Sequence, residues 1–314
     1  MSENLMNPCL IRVSGVRSLS YKLINDNCFD WMKNREENSI TAIVTDPPYG
    51  VKEYTEEELK KKRNASGGIW RIPPAFDGRK RSPLPRFSVI NDSPLERDNV
   101  YNFFIDWGRL AFKVLVPGGH IFIASTPLLS DIVSRALRDA GLERRGEIVR
   151  VVKTFRGGDR PKGAEKEFSM TTVIPRGCWE PWGLYRKPLS ERTVAKNLKR
   201  WKAGALHRKS IDTPFCDLIE SGKTPQCERK ISNHPSLKPQ DFMRILVSAA
   251  LPLQEGIILD PFCGGGSTIA AAEALGFNSI GVEQDKDFYQ MAKNAVPKLS
   301  QLYPQSEKLL FEEG

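Results

Sequence analysis

Short apolar runs alternate with segments of helical apolar spacing along most of this chain. The runs ITAIVT, HIFIAS, GIILD and SIGVEQD have the composition of strands. Strands that alternate with helices form a parallel sheet covered by helices on both faces. The sequence therefore predicts an α/β protein with a doubly wound, mostly parallel sheet. The predicted strands are 40–45, 120–125, 256–260 and 279–285, and the predicted helices include 99–115, 129–140, 241–251 and 286–302.

The charge balance favours a polyanionic partner. The chain has 47 Lys and Arg residues against 38 Asp and Glu residues, which gives a formal net charge of +9. No apolar window approaches the ~18 residues of a membrane span, and the first residues lack the features of a secretion signal. Three histidines and no CxxC pair argue against a metal site. We therefore expect a protein with no membrane span and no metal.

The segment IILDPFCGGGST at 257–268 has the pattern of a cofactor-binding loop. A strand ends at Asp260, and three glycines allow a tight turn whose following helix points its N-terminus at a bound group. The next strand ends at Glu283, which is placed to accept hydrogen bonds from ribose hydroxyls. Residue 269 is Ile where the dinucleotide fingerprint requires a third Gly. The pattern thus favours a nucleoside-type cofactor over a pyrophosphate, the alternative being a purely structural turn.

The segment TDPPYG at 45–50 has the pattern of an amine-binding loop. It combines a carboxylate, two prolines whose carbonyls remain free as acceptors, and an aromatic ring. Two acceptors that hold both protons of an exocyclic amine would localise its lone pair, while the ring stacks on the flat heterocycle. The alternative is a Pro-Pro turn that only stiffens the loop.

Together, the segments DPPY at 46–49 and DPFCGGG at 260–266 resemble the amino-methylating DNA methyltransferases, which modify adenine N6 or cytosine N4. The catalytic motif precedes the cofactor motif, an order that resembles the permuted β group of this family. HPSLKP at 234–239, NDNC at 25–28 and VLVPGG at 114–119 resemble further family segments. Gly265 and Ser267 depart from the Ser and Thr that are usual there. The resemblance implies a Rossmann-like fold, S-adenosyl-L-methionine as cofactor and an inserted target-recognition region.

The resemblance also assigns residues to the site. Asp46, Pro47, Pro48 and Tyr49 would be catalytic: Asp46 and the carbonyl of Pro47 would hold the target amine, and Tyr49 would stack on the flipped base. The residues expected to bind the cofactor are Asp26, Cys28, Asp46, His234, Lys238, Asp260, Phe262, Gly264, Gly266, Ser267 and Glu283.

Some of these roles have structural alternatives. Asp26 and Cys28 would approach the adenine ring of the cofactor, or they belong to an ordinary turn after a strand. His234 and Lys238 would support the methionine end, or they cap a helix. Ser267, with Thr268, would bond the cofactor carboxylate or cap the following helix.

The motifs divide the chain into three parts. Residues 20–154 are the expected catalytic half and include a basic loop at 51–92, and residues 234–302 are the cofactor-binding half of the same domain. Residues 155–233 between them are the expected target-recognition region, in which basic side chains would contact phosphates and others would read base edges. The candidate basic residues are Arg156, Arg160, Lys196, Lys199, Arg200, Arg208 and Lys209.

We predict a DNA adenine-N6 methyltransferase that acts on double-stranded DNA in the cytoplasm of a prokaryotic or phage-infected cell. The preference for adenine rests on Asp46, because the cytosine-N4 branch more often has Ser at that position. The alternatives are a cytosine-N4 enzyme, an RNA adenine methyltransferase, a catalytically silent DNA-binding relative and, from another class, a nucleotide-dependent oxidoreductase. A cognate restriction endonuclease and a homodimer are further predicted partners.

Overall fold

The computed structural model describes residues 10–11, 21–48, 94–152, 160–173 and 175–303 of the chain. Within these ranges the strands are β1 (Leu10–Ile11), β2 (Tyr21–Asn25), β3 (Ile40–Thr45), β4 (Leu115–Ala124), β5 (Glu143–Val151), β6 (Trp179–Arg186), β7 (Leu218–Glu220), β8 (Ile257–Asp260), β9 (Asn278–Glu283) and β10 (Leu302–Tyr303). The helices are α1 (Cys28–Lys33), α2 (Pro94–Val114), α3 (Ser130–Asp139), α4 (Val194–Trp201), α5 (Gln226–Ile231), α6 (Gln240–Ala250), α7 (Ser267–Ala274) and α8 (Lys286–Leu299).

Eight of the strands form one sheet in the order β2-β9-β8-β3-β4-β6-β5-β7. All neighbouring strands in this sheet are parallel except at β6, which is antiparallel to both β4 and β5. β3 and β8 are neighbours at the centre of the sheet. The next strand in the chain after β3 is β4, which lies on one side of this pair, whereas the next strand after β8 is β9, which lies on the other side. The predicted doubly wound, mostly parallel α/β sheet is confirmed, and its topological switch point lies between β3 and β8.

The central strand β3 is buried along its whole length because helices cover both faces of the sheet. Its side chains alternate between two cores: Ile43 packs with α1, α2 and α3, whereas Ala42 and Val44 pack with α6 and α7. This explains why ITAIVT is a continuous apolar and β-branched run. No helix in the described ranges has the length and apolarity that a membrane span requires.

The structure differs from the predicted boundaries at β4, which begins at Leu115 rather than at residue 120. The PGG segment that was expected to separate helix and strand instead lies within the strand. Gly119 permits this, because a Cβ there would lie 2.8 Å from the backbone oxygen of Thr41 on β3. The pairing of β3 with β4 also shifts register between Ile40 and Ala42.

Residues 155–233 contribute β6 and β7 to the same sheet as the rest of the chain. The sequence pattern did not predict these strands because β6, WEPWGLYR, contains Pro, Gly and charged residues. β5, ERRGEIVRV, was missed for a similar reason, since charged residues interrupt its apolar positions. The part of the chain between the two family motifs therefore completes the sheet, whatever further role it has.

Candidate active site

The two motif-bearing loops meet at the carboxyl ends of neighbouring strands. Asp46 directly follows β3 and Asp260 ends β8, and these strands are hydrogen-bonded neighbours. The hydroxyl of Thr45 donates a buried hydrogen bond of 2.7 Å to Oδ1 of Asp260. Ligands of open α/β sheets bind in the crevice at such a switch point. The candidate active site is therefore the crevice above β3 and β8.

The buried carboxylate of Asp260 links the segments that form the base of this crevice. It is 3% exposed, and its carboxylate accepts hydrogen bonds from Thr45, Thr268 and the backbone N–H of Phe262. Burial raises the pKa of Asp260 to about 6, and the nearby charge of Asp46 adds to the rise, although the hydrogen bonds oppose it. Through these hydrogen bonds Asp260 links the two loops to each other. Its contact with a cofactor stays a prediction.

The glycine turn after β8 has the backbone geometry that its sequence predicts. Gly264 and Gly266 have φ values of +47° and +85°, a region that side-chain-bearing residues rarely adopt. A Cβ on Gly264 would lie 2.9 Å from the His234 ring, and one on Gly265 would lie 2.7 Å from the His234 Cβ. The usual family Ser at 265 would therefore collide with His234 in this chain.

Glu283 lies half-buried beside the glycine turn. One of its carboxylate oxygens accepts the backbone N–H of Gly264 at 2.9 Å, and the other accepts that of Asp285 at 2.9 Å. Burial raises the pKa of Glu283, and the two backbone bonds oppose this rise. The carboxylate is thus held in a fixed orientation at the end of β9, where the ribose contact was predicted.

Asp26 and Cys28 follow β2, which pairs with β9 so that Asn25 lies opposite Glu283. The Asn25 amide donates to the backbone oxygen of Glu283 at 2.8 Å, which brings Asp26 next to that residue. Asp26 is exposed. Cys28 is only 7% exposed and packs in the core, where burial raises its pKa to about 12. Cys28 therefore has a core position, and the contact of Asp26 with a cofactor stays a prediction.

His234 supports the glycine turn. Its ring packs edge-on against Phe288, with ring centroids 4.5 Å apart. Burial, assisted by the positive charge of Lys238, lowers the pKa of His234 to about 4, so the ring is neutral at physiological pH. His234 contributes to the site by packing against Gly264 and Gly265. It does not cap α6, because the N-cap residue of that helix is Pro239.

Lys238 joins the cofactor loop to the catalytic loop. Its backbone N–H donates to the Ser267 hydroxyl at 3.2 Å, and its Nζ lies 3.0 Å from Oδ2 of Asp46. Ser267 therefore bonds the segment before α6, and the residue at the N-cap of α7 is Gly266, with no side-chain cap. Of the predicted alternatives, capping of α7 by Ser267 is wrong, whereas contact with a cofactor remains a prediction.

The remaining candidate residues follow the carboxyl ends of β3 and β8. Asp46 is half-buried, Pro47 is buried and Pro48 is exposed. Phe262 is partly buried, and its ring centroid lies 6.1 Å from those of Phe103 and Trp107. Tyr49 and the basic loop at 51–92 lie outside the described residues, so the stacking role of Tyr49 remains a prediction.

Sequence reasoning missed one side chain at this site, Glu180 on β6. Its carboxylate accepts a hydrogen bond from Lys238 Nζ and another, at 2.9 Å, from Arg150 on β5. Glu180 is 8% exposed in the otherwise apolar start of a strand. An acidic residue between apolar residues of a strand could have indicated a buried functional group. The sequence analysis did not use this pattern because it did not predict β6.

Most of the predicted phosphate-contacting residues lie at the other end of the sheet. The Asn197 amide on α4 donates to the backbone oxygen of Pro117 at 2.9 Å, near the start of β4. Asp46 follows the opposite ends of these parallel strands, so Lys196 and Lys199 on α4 are remote from it. Arg208 lines a cavity with His120, also below the crevice. Arg156 lies outside the described residues.

The sequence relatives of the chain are DNA methyltransferases. A DNA methylase family model, covering N6 and N4 enzymes, matches residues 40–294. The type II methyltransferase M.HindIII of Haemophilus influenzae is 24% identical over 292 residues, which cover 87% of this chain and 93% of the relative. M2.LlaDCHI of Lactococcus lactis subsp. cremoris is 30% identical over 277 residues, which cover 88% and 89% of the two chains.

Solved structures share the fold. The PvuII DNA methyltransferase, described as cytosine-N4-specific, has a TM-score of 0.56 at 11% identity, with 94% of each chain covered. A putative DNA modification methylase from Thermus thermophilus, solved with S-adenosyl-L-methionine, has a TM-score of 0.53 at 17% identity and covers 88% of this chain and 95% of its own. The predicted Rossmann-like methyltransferase fold is confirmed.

Proposed function

The chain belongs to the N6/N4 DNA methylase family and is an S-adenosyl-L-methionine-dependent DNA methyltransferase; we propose that its target is the N6 amine of adenine in double-stranded DNA. The observation that supports the assignment best is the convergence of the DPP and DPFCGGG segments at one crevice, joined by the bond between Thr45 and Asp260. The groups that we assign to the amine and to the cofactor are thereby side by side, as a direct transfer between two bound molecules requires.

The described residues fit the cofactor. The glycines at 264–266 let the backbone turn tightly against His234 and Val296 and lead into α7, whose N-terminus can face a bound group. Glu283 is oriented beside this turn and retains lone pairs for ribose hydroxyls, and Asp26 is exposed next to it. When bound, S-adenosyl-L-methionine supplies a methyl group on a positively charged sulfur. We assign Gly264, Gly266 and Glu283 to holding it, with Phe262 on the wall of the crevice.

Asp46 and the carbonyl of Pro47 would each accept a hydrogen bond from the target amine. The two hydrogen bonds draw the nitrogen toward tetrahedral geometry, which localises its lone pair for attack. No base is needed before attack, because the nitrogen becomes strongly acidic only once it carries the methyl group. Asp46 is then the nearest acceptor for the proton that is released. Tyr49 would hold the flipped ring by stacking.

The preference for adenine rests on the carboxylate of Asp46 at the head of the motif. Cytosine presents a similar amine, and PvuII methyltransferase shows that the same fold serves cytosine-N4 enzymes. To identify the base, the protein is incubated with S-adenosyl-L-methionine and unmethylated genomic DNA, which is then digested and examined by mass spectrometry. We expect N6-methyladenine. N4-methylcytosine would overturn the choice of base, and the absence of both products would overturn the enzymatic assignment.

We assign DNA recognition to the parts of 155–233 that extend from the crevice end of the sheet. Residues 160–178 connect the end of β5 to the start of β6, and 221–232 follow the end of β7. Their basic residues include Arg160, Lys162, Lys166, Arg176 and Lys223. A restriction endonuclease partner, a homodimer and a cytoplasmic location remain proposals, supported by the type II relatives.

A further inference from the structure

A network of four charged side chains connects Asp46 to the interior. Lys238 Nζ lies 3.0 Å from Oδ2 of Asp46 and 2.5 Å from Oε1 of Glu180. The side chain of Lys238 is 13% exposed, that of Asp46 is 16% exposed and that of Glu180 is 10% exposed. Screening by water is weak at such burial, so the charges act strongly on one another.

The far side of Glu180 is fixed as well. Its Oε2 accepts hydrogen bonds from Nη1 of Arg150 at 2.9 Å and from Nε1 of Trp182 at 3.2 Å. The Arg150 guanidinium lies 4.7 Å from the centroid of the Phe242 ring, which holds it in the core. Burial by itself raises the pKa of Glu180, but Lys238 and Arg150 outweigh it and lower the value to about 2. Glu180 is therefore ionised throughout the working pH range.

We propose that Glu180 is a positioning residue for methyl transfer, which holds Lys238 against Asp46 and thereby sets the orientation of the catalytic carboxylate. This inference rests on the proposed function, because it assigns Glu180 a role in the same reaction. Glu180 does not contact the reacting atoms in this assignment, and it acts through Lys238.

The reason lies in the flexibility of lysine. A lysine ammonium is carried by a four-carbon stem with several rotatable bonds, so a contact with Asp46 alone would not fix its position. The bond to Glu180 ties the ammonium to β6, and the bond from the Lys238 N–H to Ser267 ties its backbone to α7. With both ends held, the ion pair fixes the rotation of the Asp46 carboxylate.

Charge balance gives Glu180 a second effect. The carboxylates of Asp46 and Glu180 balance the cations of Lys238 and Arg150, so the network is neutral as a whole. Without Glu180, the whole attraction of Lys238 would fall on Asp46. Asp46 would then be a weaker acceptor for the target amine, which must compete with the ammonium for the same carboxylate.

The first test compares Glu180→Gln with Glu143→Gln. Glu143 pairs with Arg186 at the other end of β6 with a distance of 2.6 Å, so it is a matched control for the loss of a strand-anchored ion pair. On unmethylated genomic DNA, we expect Glu180→Gln to lower kcat by about ten- to a hundredfold, with the KM for S-adenosyl-L-methionine changed less than about threefold. The control is expected to keep kcat. Equal kcat in Glu180→Gln and the wild type would overturn the inference.

The second test is a double-mutant cycle with Lys238→Met. If Glu180 acts through Lys238, the double variant has the kcat of Lys238→Met alone, because no ammonium remains to be positioned. If the two losses multiply, Glu180 acts independently of Lys238 and the inference is wrong. A general structural defect would not produce this pattern, since it would add to the loss from Lys238→Met.

Folding is controlled by a further variant. Glu180→Gln leaves Arg150 without its carboxylate partner, so Glu180→Gln combined with Arg150→Met provides a version without that unpaired charge. The same loss of kcat is expected in it, and a normal kcat would contradict the inference. A wild-type protein that methylates neither base would overturn the proposed function together with this inference, whereas an active wild type with an active Glu180→Gln overturns the inference alone.

Discussion

Thr45 Oγ1 donates a hydrogen bond of 2.7 Å to Oδ1 of Asp260, and this bond joins the last residue of β3 to the last residue of β8. The residues come from motifs more than two hundred positions apart, and each stands at the start of a loop in the crevice. Their contact sets the distance between the groups assigned to the amine and those assigned to the cofactor. Several consequences of this arrangement can be measured.

Thr45→Val is expected to lower kcat/KM as well as stability. The substitution removes a buried donor and leaves Asp260 with one hydrogen bond fewer, at a cost of about 1–3 kcal/mol. The matched control is Thr41→Val. The Thr41 hydroxyl also links β3 to β8, because it accepts a hydrogen bond of 3.0 Å from the N–H of Ile257, but this contact lies at the opposite end of the two strands. Both variants should unfold at lower temperature. Only Thr45→Val should lose methyl transfer, and an equal loss in Thr41→Val would contradict a special role for the Thr45 bond.

Asp260→Asn is expected to raise stability at neutral pH. Burial raises the folded-state pKa of Asp260 from 3.8 to about 6, so the folded protein binds a proton in this range that the unfolded chain does not bind. Asp260 thus makes stability fall as the pH rises from about 4 to about 6, and its charge destabilises the fold above that range. The Asn variant removes this term, which is on the order of 1–3 kcal/mol.

Urea unfolding from about pH 4 to about pH 7.5 checks the prediction for Asp260. The Asn variant should show a shallower fall of stability with pH than the wild type. Asp212→Asn, at an exposed position, serves as a control and should follow the wild type. Parallel curves for Asp260→Asn and the wild type would show that the Asp260 carboxylate does not titrate in this window.

Glu283→Ala is expected to weaken the binding of S-adenosyl-L-methionine. The change removes the predicted ribose acceptor and also the partner of the Gly264 N–H, so we expect a loss of about 1.5–3 kcal/mol, or roughly ten- to a hundredfold in Kd. Isothermal titration with the cofactor measures it. Glu255→Ala removes an exposed glutamate paired with Lys202 and should leave Kd unchanged. An unaltered Kd in Glu283→Ala would remove the ribose assignment.

DNA binding is expected to weaken steeply with salt, because lysine and arginine contacts to phosphates release bound counterions. A Lys162→Ala and Lys166→Ala double variant should show a shallower dependence of log K on log salt, since both residues lie in the segment assigned to recognition. Lys196→Ala and Lys199→Ala remove two lysines of α4, at the far end of the sheet, and should keep the wild-type slope. The reverse pattern would place the DNA on the α4 face.

The sequence predicted the elements that carry the two motifs because their patterns are local. ITAIVT is apolar on both faces, and positive φ at 264 and 266 requires glycine, so the ends of β3 at Thr45 and of β8 at Asp260 could be predicted directly. The structure places these two strands side by side at the switch point of the sheet.

Contacts that depend on register and on long-range packing could not be read in this way. Glu180 reaches Lys238 because β6 runs antiparallel beside β4 and β5, and nothing in the sequence around either residue encodes that pairing. The basic residues of α4 were assigned to DNA from composition alone. The hydrogen bond from Asn197 to Pro117 holds that helix near the start of β4, at the end of the sheet opposite the crevice. The number of basic residues in the helix does not indicate this position.

The most direct test of the proposed chemistry compares cofactor binding with methyl transfer in Asp46→Ala. The wild type should bind S-adenosyl-L-methionine and transfer labelled methyl groups to adenine in unmethylated DNA. Asp46→Ala should bind the cofactor with a Kd within about threefold of the wild type and lose transfer by at least about a hundredfold, because the amine loses its acceptor. Transfer at a rate close to that of the wild type would contradict the assignment of Asp46 as the group that holds the target amine.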